Sequence, residues 1–413
     1  MKNFSCIKKN LSKLVIGLLL LVFLSLGLLG LLHNNSQPVI KVGVLHALSG
    51  TMATSEKPLV QMISLAVDQI NQQGGLLGRQ LELVIVDTQS NDEKAADLAE
   101  RLITDEEVAA VFGCWTSACR KAVKPVFEKH RHLLFYSVQY EGFEVSNHIY
   151  YLGALPNQQI VPGARWAMQE LGSRVLLLGS DYIFPRTANM ILGDLIDANQ
   201  GEVVAEIYQP LGEQNFENLI EQVLSLKPDV VLSTLNGDSN QGFFNALVEA
   251  GLEDLPLMSF SVAEPELEAW GGERLSQHYG VWSFFQSLTD SQTLDLVQAY
   301  QARFGTQARV SDPMVASYLA VQLWAKAVTY EQTTDPRKVN NTYLQGLSMP
   351  APGSMVAVER NNQHLWRPLR IGHVQPDGQY QQIEDTSRLI QPTPWPSYRT
   401  RYDWDLKRKR LGL

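Results

Sequence analysis

From Pro38 onward, compact β-type apolar runs alternate with segments whose apolar residues recur every three to four positions. That alternation leaves few folds open to the chain. VIKVGVL (39–45) is the first run. Beyond Lys57-Pro58, the residues Leu59, Met62, Ile63, Ala66, Val67 and Ile70 share one helical face, and Gly74-Gly75 stop the helix. LELVIVD (81–87), a helix through Leu98 and Leu102, AAVF (109–112), a helix after Ser117 and LLFY (133–136) follow. This is the βαβ cadence of a mostly parallel sheet flanked by helices. After GALPNQQ (153–159) the cadence restarts with VLLLG (175–179), a helix after Arg186, VVAEIY (203–208), DVVLSTL (229–235) and LPLMSFS (255–261). Two successive α/β units of similar length predict two lobes. A helix over 314–330 comes next. The end of the chain reads as antiparallel strands: SMVAVE (354–359), WRPLRIGHV (366–374) and YQQI (380–383), with turns at Asn361-Asn362 and at 376–378.

Residues 1–37 are a different material. Lys2, Lys8, Lys9 and Lys13 precede the uncharged run LVIGLLLLVFLSLGLLGLL (14–32). As a helix rising about 1.5 Å per residue it spans roughly 28 Å, close to the hydrocarbon thickness of a bilayer. A signal-peptide core usually runs about 7–15 residues, and neither an A-x-A site nor a cysteine follows this one. The expectation is an uncleaved N-terminal anchor to the inner membrane, with a cleaved signal as the alternative. Either way the basic flank stays cytoplasmic and the body reaches the periplasm. Net charge is -9 with no basic stripe in the body, so no nucleic-acid partner is expected. The cluster Lys407-Arg408-Lys409-Arg410 reads as a solvated tail. Cys114 and Cys119 read as two small buried thiols. Five residues apart across a helix start, they are expected to exceed the Cα separation of about 7 Å that a bridge tolerates.

In open α/β sheets, ligands sit beyond the carboxyl ends of the strands. In the first unit those ends are HALSGT (46–51), GCWTS (113–117) and SVQYEG (137–142). In the second they are SDYIFP (180–185), NGDSN (236–240) and SVAEPE (261–266). Trp115, Tyr136, Tyr140, Tyr182 and Phe184 could wall a small polar ligand, with Ser117, Glu141, Asp181 and Glu264 as polar groups. Thr116 or Ser117 would equally serve as a helix cap, and Asp181 could bond its own turn. The histidines lie at no ligand spacing, so His46 reads as structural and neither metal nor cofactor is expected. G-x-S-x-G, H-E-x-x-H and G-x-x-x-x-G-K-[ST] are missing, which argues against an enzyme. GGLLG (74–78) ends a helix and precedes a strand, the wrong setting for a dinucleotide loop.

VGVLHALSGTMA, GCWTSACRKAV, LLFYSVQYEG, GALPNQQ, GSDYIFPRTAN, STLNGDSN and HLWRPLRIG resemble the urea-binding components of bacterial urea ABC transporters. These are type I periplasmic binding proteins related to amide-sensing regulators and branched-chain amino-acid receptors. The resemblance runs from Ile40 to about Trp395. It implies a two-lobed α/β Venus-flytrap fold with hinge crossings near Ala154, Phe284 and Pro350. The first lobe would then be 38–154 and 284–349, and the second 155–283 and 350–413. It implies ligand contacts from Trp115, Ser117, Tyr136, Val138, Gln139, Tyr182 and Phe184. Thr116, Tyr140 and Asp181 join them from the strand-end reading. Ser137 stands where the family usually has proline, and Phe184 where it usually has tyrosine. The implied role is a receptor that delivers a small, neutral, urea-like amide to ABC permease subunits, with Trp115 as a ligand wall. The alternatives are an amino-acid receptor using Glu141, Asp181 or Glu264 for the ammonium, and a membrane-tethered amide sensor acting through a separate partner.

Overall fold

The computed structural model describes residues 38–341, 343–386 and 388–413; the anchor expected over 14–32 lies outside them. Five parallel strands build the first sheet: β1 (Ile40–His46), β2 (Leu81–Asp87), β3 (Val111–Gly113), β4 (Leu134–Tyr136) and β5 (Ile149–Tyr151), in the order β2-β1-β3-β4-β5. β1 is an interior strand buried on both faces, which is why its apolar run is nearly continuous. The connecting helices are α1 (Ala53–Gln72), α2 (Asp92–Thr104) and α3 (Ser117–His130).

The chain then leaves this sheet through a 3-10 turn at Pro156–Gln158 and continues as α4 (Ile160–Glu170), β6 (Arg174–Ser180), α5 (Ile183–Ala198) and β7 (Glu202–Gln209). α6 (Glu217–Leu226), β8 (Val230–Thr234), α7 (Ser239–Glu249), β9 (Leu257–Ser259), α8 (Glu264–Trp270) and β10 (His278–Trp282) follow. α5 starts at Ile183, ahead of the Arg186 expected from the sequence, because Pro185 fits the first turn of a helix.

α9 (Ser291–Phe304), α10 (Asp312–Glu331) and the short α11 (Pro336–Val339) return to the first lobe, where Trp324 of α10 meets Phe112 of β3 edge-on. β11 (Ser348–Ala351), β12 (Ser354–Val358) and β13 (Leu365–Trp366) form a small antiparallel sheet. Its Val356, Val358 and Leu365 join the first-lobe core. β14 (Arg370–Val374) and β15 (Tyr380–Asp385) complete the second sheet, ordered β15-β14-β10-β9-β8-β6-β7, and the last helix is α12 (Arg401–Arg410). First-lobe packing therefore runs past Pro350, which lies inside β11. WRPLRIGHV is two strands in different sheets, parted around Pro368.

Two arginines tie the crossings together. Arg367 donates to the Leu152 carbonyl at 2.7 Å and to Asp312 at 2.6 Å. Arg370 donates to the Ser283 and Gly353 carbonyls, the latter at 2.7 Å. At the first crossing Gly153 lies flat on Val138, and a Cβ there would come within 2.0 Å of the Val138 carbonyl. Neither backbone can give way, so Gly153→Ala should destabilise the fold by about 3 kcal/mol or more. The check is a urea-denaturation midpoint against wild type; an unchanged midpoint would mean the crossing has slack.

Candidate functional site

β3 ends at Gly113, where only glycine fits, because a Cβ there would lie 2.3 Å from the Leu45 carbonyl. The next residue, Cys114, adopts the left-handed conformation (φ 63) and donates its N–H to that same carbonyl at 2.8 Å. The turn folds the chain back on itself, and Thr116 caps α3 by accepting from the Cys119 N–H at 3.0 Å. This brings the Cα atoms of Cys114 and Cys119 to 5.7 Å, and the two form a disulfide. The expectation of two separate thiols is thereby corrected: the positive φ at Cys114 turns the chain back before the helix starts and shortens the path across it.

Trp115 sits at the apex of this turn, 3% exposed. Its carbonyl accepts from the Tyr136 hydroxyl at 2.6 Å. Its indole N–H crosses to the second lobe and donates to Asn236 at 3.1 Å. Asn236 is itself held by Ser180, which accepts from its N–H at 3.0 Å, and by the Thr234 carbonyl at 3.1 Å. Nearby, the Asp238 N–H donates to the Thr51 carbonyl at 3.2 Å, a second bond between the lobes. Gln139 makes a third, donating to the Phe260 carbonyl at 3.0 Å and the Ser261 hydroxyl at 3.2 Å, while its own side-chain oxygen is buried without a partner.

Beneath Trp115 lies a buried ionic floor. Arg120 is fully buried, and its guanidinium donates to Ser117 at 2.9 Å, Glu141 at 3.1 Å and Glu144 at 3.0 Å. It also lies over the rings of Tyr140 and Tyr136, 4.3 Å and 5.0 Å from their centroids. The Ser117 hydroxyl in turn donates to Glu141. Burial alone would raise the Glu144 pKa; Arg120, then Lys121 and Lys124, outweigh it and hold the carboxyl at about 2. Tyr140 bonds His364 at 2.6 Å and stacks on Tyr151, so it belongs to this floor. Val138 is buried against Gly153.

From the second lobe, Tyr182 faces the first, and burial raises its phenol well above the ordinary range. Phe184 packs into the second-lobe core. Asp181 is exposed and paired with Arg186 at 2.5 Å. Between the lobes lies a cavity of about 70 Å³ bordered by Met52, Glu56, Asp92, Thr116, Cys119 and Tyr182. Glu56 accepts from His46 at 2.7 Å and from the Ala47 N–H at 3.0 Å. Burial, then the charge of Glu56, raises the pKa of Asp92. Thus Trp115, Thr116, Ser117, Tyr136, Gln139 and Tyr182 gather at the seam. Glu56 and Asp92 were not singled out from the sequence, and Asn236 was offered only within the strand-end run NGDSN (236–240). An acidic residue in a helix's first turn reads as a dipole partner, which hides Glu56 and Asp92.

Two α/β lobes joined by three crossings, with polar groups meeting across the seam, define a receptor that takes up a small solute between its lobes. The model of the periplasmic binding protein domain matches residues 40–401, and the chain belongs to that family. It is an extracytoplasmic solute-binding protein of the ABC-transporter type. It is 23% identical over 385 residues to Leu/Ile/Val-binding protein homolog 8 of Brucella abortus, covering 86% of this chain and 92% of that one. A solute-binding protein of an R. palustris ABC transporter, solved with 4-hydroxybenzoate, matches with a TM-score of 0.76 at 22% identity, over 86% of this chain and 98% of that one. A shorter stretch of 124 residues is 31% identical to limonene hydroxylase of Geobacillus stearothermophilus; it covers 30% of this chain and only 22% of that protein.

A pH dependence follows from the other end of the seam. Burial pushes Glu264 up to about 8 and Glu266 up to about 7, from 4.5. The folded protein holds protons that the unfolded chain releases, so the stabilisation is complete below pH 4.5 and is lost as pH rises through 7 and 8. Glu264→Gln retains the acceptor for the Gln286 N–H, bonded at 2.9 Å in wild type. Its melting temperature should fall less than that of wild type between about pH 5 and about pH 9. Parallel curves for the two proteins would contradict this.

Proposed function

We propose that this receptor takes urea or another short neutral amide and hands it to an ABC permease. The observation that carries the reading is the seam cavity. At about 70 Å³ it has room for a handful of water-sized groups. Urea, formamide and acetamide are of that size, whereas isoleucine and 4-hydroxybenzoate carry more than twice as many heavy atoms. The lining includes Glu56 and Asp92 but no lysine or arginine. A ligand carboxylate would therefore meet like charge, and the nearby cation, Arg120, is committed to Glu141 and Glu144. A planar amide suits the same groups, with N–H donors for the carboxylates and hydroxyls and a carbonyl for a hydroxyl or main-chain donor. Each such group left unpaired after closure would cost about 1–3 kcal/mol, which separates an amide from a near-miss.

In this reading Thr116 and Tyr182 meet the ligand from the two lobes, Trp115 and Gln139 hold the lobes closed around it without lining the cavity, and Ser117, Tyr136, Val138 and Tyr140 hold these in place. Phe184 backs Tyr182, and Asp181 lies at the rim. An amino-acid receptor remains the second reading, favoured by Glu264, whose second carboxyl oxygen is buried without a partner. An amino acid's carboxylate, however, would find no cation in the cavity lining.

A thermal-shift panel decides between the two. Urea, formamide and acetamide should raise the melting temperature, leucine and 4-hydroxybenzoate should not, and no ammonia should appear. A shift with leucine alone would move the assignment to amino acids, and ammonia release would make the protein an enzyme.

Trp115→Phe tests the closure contact. It keeps an apolar ring while removing the N–H that reaches Asn236, together with part of the indole's bulk. Losing that bond should cost about 1 kcal/mol in the closed form. The urea-induced rise should shrink while the ligand-free melting temperature changes little. An undiminished rise would remove Trp115 from the binding mechanism.

A further inference from the structure

We infer that the Cys114–Cys119 disulfide is a clamp on the ligand-facing turn, positioning Trp115 and Thr116 for the second lobe. The inference rests on the solute-binding reading of the seam, since Cys119 itself borders the cavity. Both cysteines belong to the first lobe, one at the end of β3 and one in the first turn of α3. Only four residues separate them, and among those are Trp115, which bonds Asn236, and Thr116, which borders the cavity.

A bridge that closes so short a ring removes little freedom from the unfolded chain compared with one closing a long loop. The elements it joins are anchored without it: Phe112 and Val123 are fully buried on either side. Its local effect is larger. Cys114 is a non-glycine residue at φ 63, a conformation that persists only where its surroundings enforce it. Two constraints enforce it, the bond from its N–H to Leu45 and the bridge. Without the bridge Cys114 can relax toward the extended region, and Trp115, the next residue, swings with it. The turn then has to be ordered at each closure, so the closure-competent fraction falls and the apparent affinity falls with it.

The test uses the full chain in three forms: wild type, Cys119→Ala, and wild type treated with dithiothreitol and then reoxidised. Dithiothreitol gives two electrons and two protons to the bridge, leaving two thiols and becoming its own cyclic disulfide. Hydrogen exchange of amides 114–119 is compared with that of β1, alongside the ligand-free melting temperature and the affinity for urea. Loss of the bridge should speed exchange in 114–119 by about tenfold or more and leave β1 unchanged. The ligand-free melting temperature should fall by no more than about 3 °C. The dissociation constant for urea should rise about tenfold, as for a competent fraction reduced to about a tenth, and reoxidation should restore it. Unchanged exchange in 114–119 overturns the clamp. So does unfolding of both bridge-free forms, which would make the bridge a staple for the fold. If oxidised wild type does not bind urea, the proposed ligand fails, and the exchange comparison alone upholds or overturns the clamp.

Discussion

The two-lobed architecture depends on a pair of guanidinium groups where the chain passes between lobes for the last time. Arg367 reaches back to the first crossing at Leu152 and Arg370 to the second at Ser283. Residues far apart in sequence are thereby held in one bundle. Arg367 is 4% exposed and faces Asp312, which is 2% exposed. Desolvating such charges costs several kcal/mol per ion, and removing one partner strands the other. A hydrophobic pair could hold the crossings as tightly, but it could not bond the backbone carbonyls of the crossing segments themselves. The arginines suit a junction whose own carbonyls need partners.

A similar economy governs the floor of the seam. Arg120 occupies two carboxylates, one hydroxyl and two aromatic faces. The side chains above it are therefore oriented before any ligand arrives. Ser117 illustrates the effect: its proton goes to Glu141 and one lone pair to Arg120, so what it can still offer is a second lone pair. A hydroxyl so committed has no proton left to give. The same preorganisation keeps Arg120 from acting as an anion hook, although an arginine so near a binding site invites that assignment.

Much of this was legible in the sequence, and the omissions have physical causes. Most of the parallel strands announced themselves because buried strands are nearly continuous apolar runs, whereas the three-residue β5 was too short to stand out. β10 did not stand out either, because His278 and Gly280 interrupt its run. The histidine is nonetheless buried, satisfied by Ser259 at 2.8 Å, and the glycine makes room for the ring of Tyr380. WRPLRIGHV looked like one strand because its apolar residues run on past Pro368, the one local sign that the ladder breaks there. The aromatic and hydroxyl residues at the strand ends were visible from position alone. Their pairing across the seam was not: NGDSN was marked as a strand end, but nothing in the sequence joins its Asn236 to Trp115 in the other lobe. The disulfide was missed for a conformational reason, because a left-handed residue just before the helix turns the chain back and brings the two Cα atoms to 5.7 Å.

The late position of β11–β15 has a consequence for how the chain acquires its fold. The first lobe waits for Val356, Val358 and Leu365 to finish its core, although its sheet is drawn from residues 40–151. In the second lobe, β10 lacks one neighbour until β14 arrives. A chain emerging from its N-terminal end thus cannot complete either half early, and an uncovered β10 edge is open to mispairing. Such a sequence is slow to commit and rich in contacts between distant segments, which delays folding until nearly all of it is available. For a protein that must thread a membrane before it works, that delay keeps the chain passable.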